Sequence, residues 1–107
     1  MIEVREYVAA DGRSPFRKWF RSLKAQAAAK VTIALGRLEH GLLTNLKSVG
    51  GGVLELRIHS GPGYRVYLGR DGESIVILLT GGTKKRQQAD IEIAKGYWAD
   101  YRRRRKA

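Results

Sequence analysis

Three closely spaced strand patterns constrain the fold of this chain more than any other feature of its sequence. We predict strands over about 53–59, 64–69 and 74–80, because polar and apolar residues alternate in the first two and the third has a continuous apolar centre. Short turns join them, at Gly61-Pro62-Gly63 and at Asp71-Gly72. Strands joined by such short turns pair antiparallel, so the rest of the chain must pack around a meander.

The segments before and after this meander carry mostly helical signals. Ser14 and Pro15 suit the N-cap and the first position of a helix, and Gly41 suits the end of a second helix. The glycine-rich stretch 42–52 is predicted to be a loop. The predicted elements outside the meander are a strand over 2–8, a helical hairpin over 15–40 and a last helix over about 83–103. The order β-α-α-β-β-β-α predicts an α+β fold, an antiparallel sheet packed by the N-terminal helical hairpin and the C-terminal helix.

The charge balance indicates the kind of partner. The chain has 107 residues, so we expect one domain over 1–107, with a basic tail at 102–107. Its 21 Lys and Arg against 10 Asp and Glu give a formal net charge of +11. A small domain this basic is expected to bind a polyanion.

Composition also narrows the expected compartment and cofactors. There is no cysteine, and two histidines are too few for a site made of histidine alone, so we expect no metal and no other cofactor. No apolar run approaches the ~20 residues that span a bilayer. The N-terminus does not look like a signal peptide. We therefore expect a cytoplasmic protein without a membrane partner.

Strand alternation places five polar residues on one face of the first hairpin, which we call the hairpin patch: Glu55, Arg57, His59, Arg65 and Tyr67. With a three-residue loop over 61–63, His59 is predicted to oppose Arg65, and Arg57 to oppose Tyr67. Such a patch is either a row of ion pairs that stabilises the hairpin or a site for an anion.

A second group of cations follows the last predicted strand. Lys84, Lys85 and Arg86 come directly after Gly81-Gly82, at the predicted start of the last helix. Cations at that end oppose the helix macrodipole, and a broken local rule often marks a functional position. A helix start with basic side chains suits a phosphate, and the alternative is a solvated basic turn.

The chain resembles a known family in three stretches, SPFRKWFRSL, LELRIHSGPGYRVYLGRDG and SIVILLTGGTKKRQQADIEIAKGYW. These are similar to the RelE/ParE toxin superfamily and, within it, to the phage-derived, HigB-like killer proteins of addiction modules. The resemblance covers about residues 2–98. It implies the toxin of a type II toxin–antitoxin module, neutralised by an antitoxin that is expected to carry a helix-turn-helix DNA-binding domain.

RelE-like toxins act as ribosome-dependent endoribonucleases that cut mRNA and so inhibit translation, and this resemblance implies the same chemistry here. The 2′-hydroxyl of the RNA attacks its own phosphodiester, which calls for a base, an acid and cations but no metal. Arg65 matches the hairpin arginine of the family, so the resemblance implies it for the charge of the transition state. Arg57 and either Lys84 or Lys85 are the next candidates, with Glu55 or His59 as base.

The remaining candidates are residues for RNA binding. Tyr67 is predicted to stack on a base or to brace Arg57. Lys85 and Arg86 are predicted to contact phosphates, and the tail at 102–106 is either a solvated charge run or an auxiliary contact to ribosomal RNA. The tail residues predicted to bind RNA are Arg102, Arg103 and Arg104. Two other functions remain open, a ParE-like inhibitor of DNA gyrase and a non-catalytic nucleic-acid-binding module.

Overall fold

The computed structural model describes residues 1–43 and 45–105. Within these ranges, five strands form one sheet and three α-helices pack on it. The strands are β1 Glu3–Glu6, β2 Leu46–Gly50, β3 Val53–Ile58, β4 Tyr64–Asp71 and β5 Ile75–Thr83. The helices are α1 Pro15–Arg21, α2 Ala25–Glu39 and α3 Gln87–Arg105, and a 3-10 turn, Lys84–Arg86, precedes α3.

The predicted helix starts and ends are confirmed at α1 and α2. The side-chain oxygen of Ser14 accepts a hydrogen bond from the backbone N–H of Arg17 at 3.0 Å, and Pro15 occupies the first helical position. At the end of α2, Gly41 has φ of +85°, the left-handed conformation in which helices commonly end. Local sequence chemistry therefore sets where these two helices begin and end.

The sheet is mixed, so the prediction of an all-antiparallel sheet is wrong at one edge. Its strand order is β1-β5-β4-β3-β2, in which β2 to β5 form an antiparallel meander and β1 pairs parallel with β5. The chain leaves β1, crosses through α1 and α2 to the opposite edge, and returns one strand at a time. Alternation within β1 identifies a strand, but it says nothing about the direction of a neighbour so distant in the chain.

The predicted loop over 42–52 contains a strand instead. Residues 46–50 form the edge strand β2, and its short, mostly exposed pattern hides the alternation on which the prediction relied. Gly50 ends β2, and Gly51 and Gly52 form the turn that follows; all three have positive φ. The element order is therefore β-α-α-β-β-β-β-α. Thr44, which was also predicted to be in the loop, lies outside the described residues.

In the β3–β4 hairpin each side chain lies on the predicted face of the sheet, but the pairing of the two strands is shifted by two residues from the predicted register. Arg57 opposes Arg65, whereas His59 was expected there, and Glu55 opposes Tyr67. The strands end at Ile58 and resume at Tyr64, so a five-residue loop replaces the predicted three-residue one. A register shift of two residues leaves every side chain on its own face of the sheet, so the polar side chains still share one face.

Both faces of the sheet are buried, each under different helices. One core contains Phe16 of α1 and Val31 and Leu38 of α2, packed on the sheet. The other contains Ala94 and Trp98 of α3. The face that carries the hairpin patch is thus a second core, which the sequence did not predict. Among the described helices, none combines the length and apolar character needed to cross a membrane.

Two glycines let aromatic rings lie directly on the strands. A Cβ on Gly69 would lie 2.5 Å from the ring of Trp98, and one on Gly81 would lie 2.2 Å from the ring of Trp19. Neither ring can move away from its strand without losing packing contacts in its core. These close approaches fix how far α3 and α1 stand from the sheet.

We expect Gly69→Ala to destabilise the protein by about 1–3 kcal/mol, because the added methyl group overpacks the contact with Trp98. The matched control is Gly96→Ala in α3, where an added Cβ meets nothing within 4 Å. That change should stabilise the protein by about 0.5–1 kcal/mol, since alanine favours a helix. Urea unfolding measures both values, and wild-type stability of Gly69→Ala would contradict the packing described.

Candidate functional site

The hairpin patch is divided between the interior and the surface. Glu55 and Tyr67 have no exposed surface and Arg65 is 7% exposed, because the start of α3 covers this part of the sheet. The side chain of Arg57 is 35% exposed, and His59 is exposed in the loop after β3. The five predicted residues are therefore neighbours, as expected, but only Arg57 and His59 remain open to a ligand of ordinary size.

Glu55 is a buried acid with three partners. Its Oε1 accepts a hydrogen bond from Nε of Arg57 at 2.9 Å. Its Oε2 accepts one from Nε2 of Gln87 at 3.0 Å and lies 3.7 Å from Nε of Arg65. A buried carboxylate without such partners would be strongly destabilising. Glu55 thus orients both arginines and ties the first residue of α3 to the sheet.

The loop of the hairpin and the 3-10 turn before α3 meet at Gly63. The carbonyl oxygen of Gly63 accepts a hydrogen bond from the backbone N–H of Lys84 at 2.9 Å. A Cβ on Gly63 would lie 3.3 Å from Nη1 of Arg65 and 3.6 Å from Cβ of Lys84. Two chain segments far apart in sequence therefore bring the Arg65 guanidinium and the base of the Lys84 side chain to one place. We call the group Arg57, His59, Arg65 and Lys84 the basic hairpin end.

Tyr67 lies in the core that α3 covers, which leaves no ring face on which a base could stack. Its hydroxyl makes no hydrogen bond of normal geometry to the described residues. Burial raises the pKa of Tyr67 well above its ordinary value of 10.0, and the charge of nearby Glu55 raises it further. The phenol is a buried, protonated group, so the predicted role in stacking does not suit its position.

Gln87 and Asp90, both in the first turn of α3, were missed by the sequence analysis. Asp90 is buried against β5, where a Cβ on Gly82 would lie 1.9 Å from its Oδ2. Burial raises the pKa of the Asp90 carboxyl, and the charge of Arg86 offsets part of this rise. Polar residues in a first helical turn are common. The Gly81-Gly82 pair was the signal of a close approach that could have indicated Asp90.

The other predicted cations differ in whether they pair with an acidic residue. Lys85 and Arg86 are exposed in the 3-10 turn, one turn before α3. Arg102 is exposed on α3, whereas Arg103 and Arg104 pair with Asp100.

The basic tail is a continuation of α3 as far as Arg105. Arg104 donates to the backbone oxygen of Val8 and lies 5.5 Å from the ring centre of Tyr7, and Arg105 pairs with Asp71 at 2.7 Å. These contacts tie the tail to other elements, unlike a solvated charge run. Lys106 and Ala107 lie outside the described residues.

Comparison of the sequence with known proteins finds a family and a relative that it resembles. A sequence model of the family described as "Phage derived protein Gp49-like" matches residues 18–97. The matched range contains the β3–β4 hairpin, the 3-10 turn and the first half of α3. An uncharacterized protein of Haemophilus influenzae is 46% identical over 81 residues, which cover 75% of this chain and 82% of that protein.

We expect Tyr67→Phe to leave the protein as stable as the wild type at pH 7, or more stable by about 1 kcal/mol, because it removes a buried hydroxyl without a partner. The raised pKa of Tyr67 means that the folded state keeps its proton. Above pH 10 the unfolded chain ionises while the folded protein does not, so stability falls as pH rises. Tyr67→Phe should remove part of that fall.

Urea unfolding at neutral and alkaline pH measures both effects, with Tyr64→Phe in the same strand as the control. Tyr64 is half-buried, so its replacement shows what the loss of a less buried tyrosine from the same strand does to stability. A clear loss of stability of Tyr67→Phe at pH 7 would show that the hydroxyl has a partner in solution.

Proposed function

The chain belongs to the Gp49-like family of phage-derived proteins, and from this premise we propose that it is the toxin of a type II toxin–antitoxin module that cleaves mRNA on the ribosome. The observation that carries the proposal is the meeting of Arg65 and Lys84 at Gly63, beside Arg57. Two guanidinium groups and a lysine side chain that starts at the same edge suit the negative charge that builds on a phosphate as it is cleaved. The resemblance of the sequence to RelE-like toxins supports the same chemistry.

In the proposed reaction, the 2′-oxygen of one nucleotide forms a bond to the adjacent phosphorus as the bond from phosphorus to the 5′-oxygen breaks. The 2′-hydroxyl loses its proton to a base, and the departing oxygen takes a proton up. His59 is the proposed base, because it is exposed and an imidazole nitrogen can accept a proton. Glu55 is fully buried and already engaged, so we assign it to positioning Arg57 and Arg65.

Arg57 and Lys84 are proposed to contact the reacting phosphate, since both are accessible. Arg65 is 7% exposed, so its positive charge acts on the phosphate at a distance and not by direct contact. Lys85, Arg86 and Arg102 are proposed to bind phosphates of the mRNA or of ribosomal RNA, because they are exposed cations.

The proposed partners follow from the same premise. The ribosome presents the mRNA, and a cognate antitoxin, expected to carry a helix-turn-helix DNA-binding domain, neutralises the toxin. A net charge of +11 favours an antitoxin that is acidic where it docks.

We expect Lys84→Ala to slow ribosome-dependent cleavage of mRNA by ~10²-fold, by analogy with the loss of one donor to a developing oxyanion. Lys84 is exposed, so the fold should tolerate the change. Lys24→Ala, which removes an exposed lysine just before α2, is the matched control and should cleave at the wild-type rate. Equal rates for both variants would rule out this site, and inhibition of gyrase supercoiling without cleavage would favour the ParE-like alternative.

Arg65 is expected to combine a structural role with a functional one. Arg65→Ala should cost about 3–5 kcal/mol in urea unfolding, because it removes a cation beside the fully buried Glu55. Arg65→Lys should recover part of the stability and less of the activity, since an ammonium group cannot reproduce the planar guanidinium. Wild-type stability of Arg65→Ala would contradict the buried ion pair.

A further inference from the structure

A groove between α2 and β3 borders the basic hairpin end, and the residues that line it from α2 have no role in the proposed reaction. It encloses about 550 Å³. Its described lining comes from three segments, with Lys30, Ile33, Ala34 and Arg37 from α2, Leu42 and Asn45 from the following connection, and Leu56, Arg57, Ile58 and His59 from the end of β3. We call it the α2–β3 groove.

The floor of the α2–β3 groove is aliphatic and includes side chains that the fold leaves open. Ile33 is 54% exposed and Leu42 is 56% exposed, although both are large apolar residues. Leu56 and Ile58 lie beneath them at the edge of the core. Single exposed apolar residues are ordinary, but two beside each other in a concave site indicate a surface that another molecule covers.

The rim of the groove is cationic. Lys30 and Arg37 stand on α2, and Arg57 and His59 stand opposite them on β3 and its loop. Among the described residues that line the groove, none is Asp or Glu. An apolar floor inside a basic rim is complementary to a segment that has apolar residues in its middle and acids at its sides.

The composition of the floor distinguishes a peptide from RNA. Proteins that bind single-stranded RNA stack its bases on Phe, Tyr or Trp rings. None of these three residue types is among the described residues of the lining, and His59 supplies the only ring there. Aliphatic side chains in a groove beside a helix are instead typical of sites for an amphipathic helix, which inserts side chains spaced three or four residues apart.

We propose that the α2–β3 groove binds an acidic, amphipathic segment of a partner protein. Its apolar side chains pack on Ile33 and Leu42, and its carboxylates pair with Lys30, Arg37 and Arg57. Because Arg57 and His59 belong both to this groove and to the basic hairpin end, a bound segment also closes one side of the site. That this partner is the antitoxin rests on the proposed function, whereas binding of the segment does not.

The experiment selects ligands without assuming what the protein does. A display library of random peptides, each of about 12 residues, is selected on the folded full-length protein. We expect enrichment of peptides with aliphatic residues at helical spacing and with several Asp or Glu. Their binding, measured by fluorescence anisotropy, should weaken as salt rises. Failure to enrich any such peptide would overturn the proposal.

Matched variants assign the binding site. The double variant Ile33→Gln with Leu42→Gln removes the apolar floor without changing charge, and should weaken peptide binding about tenfold or more. Ile93→Gln on α3 replaces an exposed apolar residue outside the groove, and should bind as the wild type does. Arg37→Glu provides a second test, because it should weaken the acidic peptides while leaving the floor intact. Equal binding by all these variants would overturn the proposal.

A labelled single-stranded RNA oligonucleotide completes the test. The double variant should bind this RNA as the wild type does, since RNA is not expected to use the aliphatic floor. Equal losses of RNA and peptide binding would make the groove a nucleic-acid surface and overturn the proposal. Ribosome-dependent cleavage by the wild type is measured in parallel and tests the proposed function alone. Failure of the proposed function can therefore be distinguished from failure of the groove to bind a peptide.

Discussion

The carboxylate of Glu55 is the group around which this part of the molecule is organised. A charge with no exposed surface is tolerated only when partners replace the lost water, and here they come from both strands of the hairpin and from α3. Arg57 and Arg65 would otherwise repel each other as a directly opposed pair. Glu55 lies between them and offsets their repulsion, so the two guanidinium groups can lie side by side. The 3-10 turn places Lys84 next to this pair.

Glycines in the central strands make that arrangement possible, because they have no side chain to hold α3 away from the sheet. Gly69 receives the ring of Trp98, and Gly82 receives the carboxyl group of Asp90. With α3 held at both points, Gln87 at its start comes within hydrogen-bonding distance of Glu55. Packing in the second core and the polar geometry of the hairpin are therefore connected through the start of α3.

The two proposed surfaces adjoin but differ in chemistry. The basic hairpin end groups the cationic side chains Arg57, Arg65 and Lys84 with His59, which suits a phosphate. The α2–β3 groove has a basic rim around aliphatic side chains, which suits an acidic peptide. Arg57 and His59 border both, so under the two proposals the RNA and the peptide compete for these residues, and occupation of one site limits access to the other.

Local chemistry in the sequence determined the features that depend on neighbouring residues. Ser14 and Pro15 start α1, Gly41 follows the end of α2, and the predicted turn glycines lie in the connections 59–63 and 72–74 between strands of the meander. Alternation also assigned the polar residues of the hairpin to a common face, and the composition set the basic character of the chain.

Only the tertiary structure decided what covers each face and which distant segments meet. Alternation assigns Glu55 and Tyr67 to a face, but whether water or α3 lies above it depends on packing between segments more than 30 residues apart in the chain. The parallel pairing of β1 with β5 and the edge strand β2 depend on the same long-range packing. The sequence by itself therefore determined which residues share the site, and the tertiary structure decided which of them a ligand can reach.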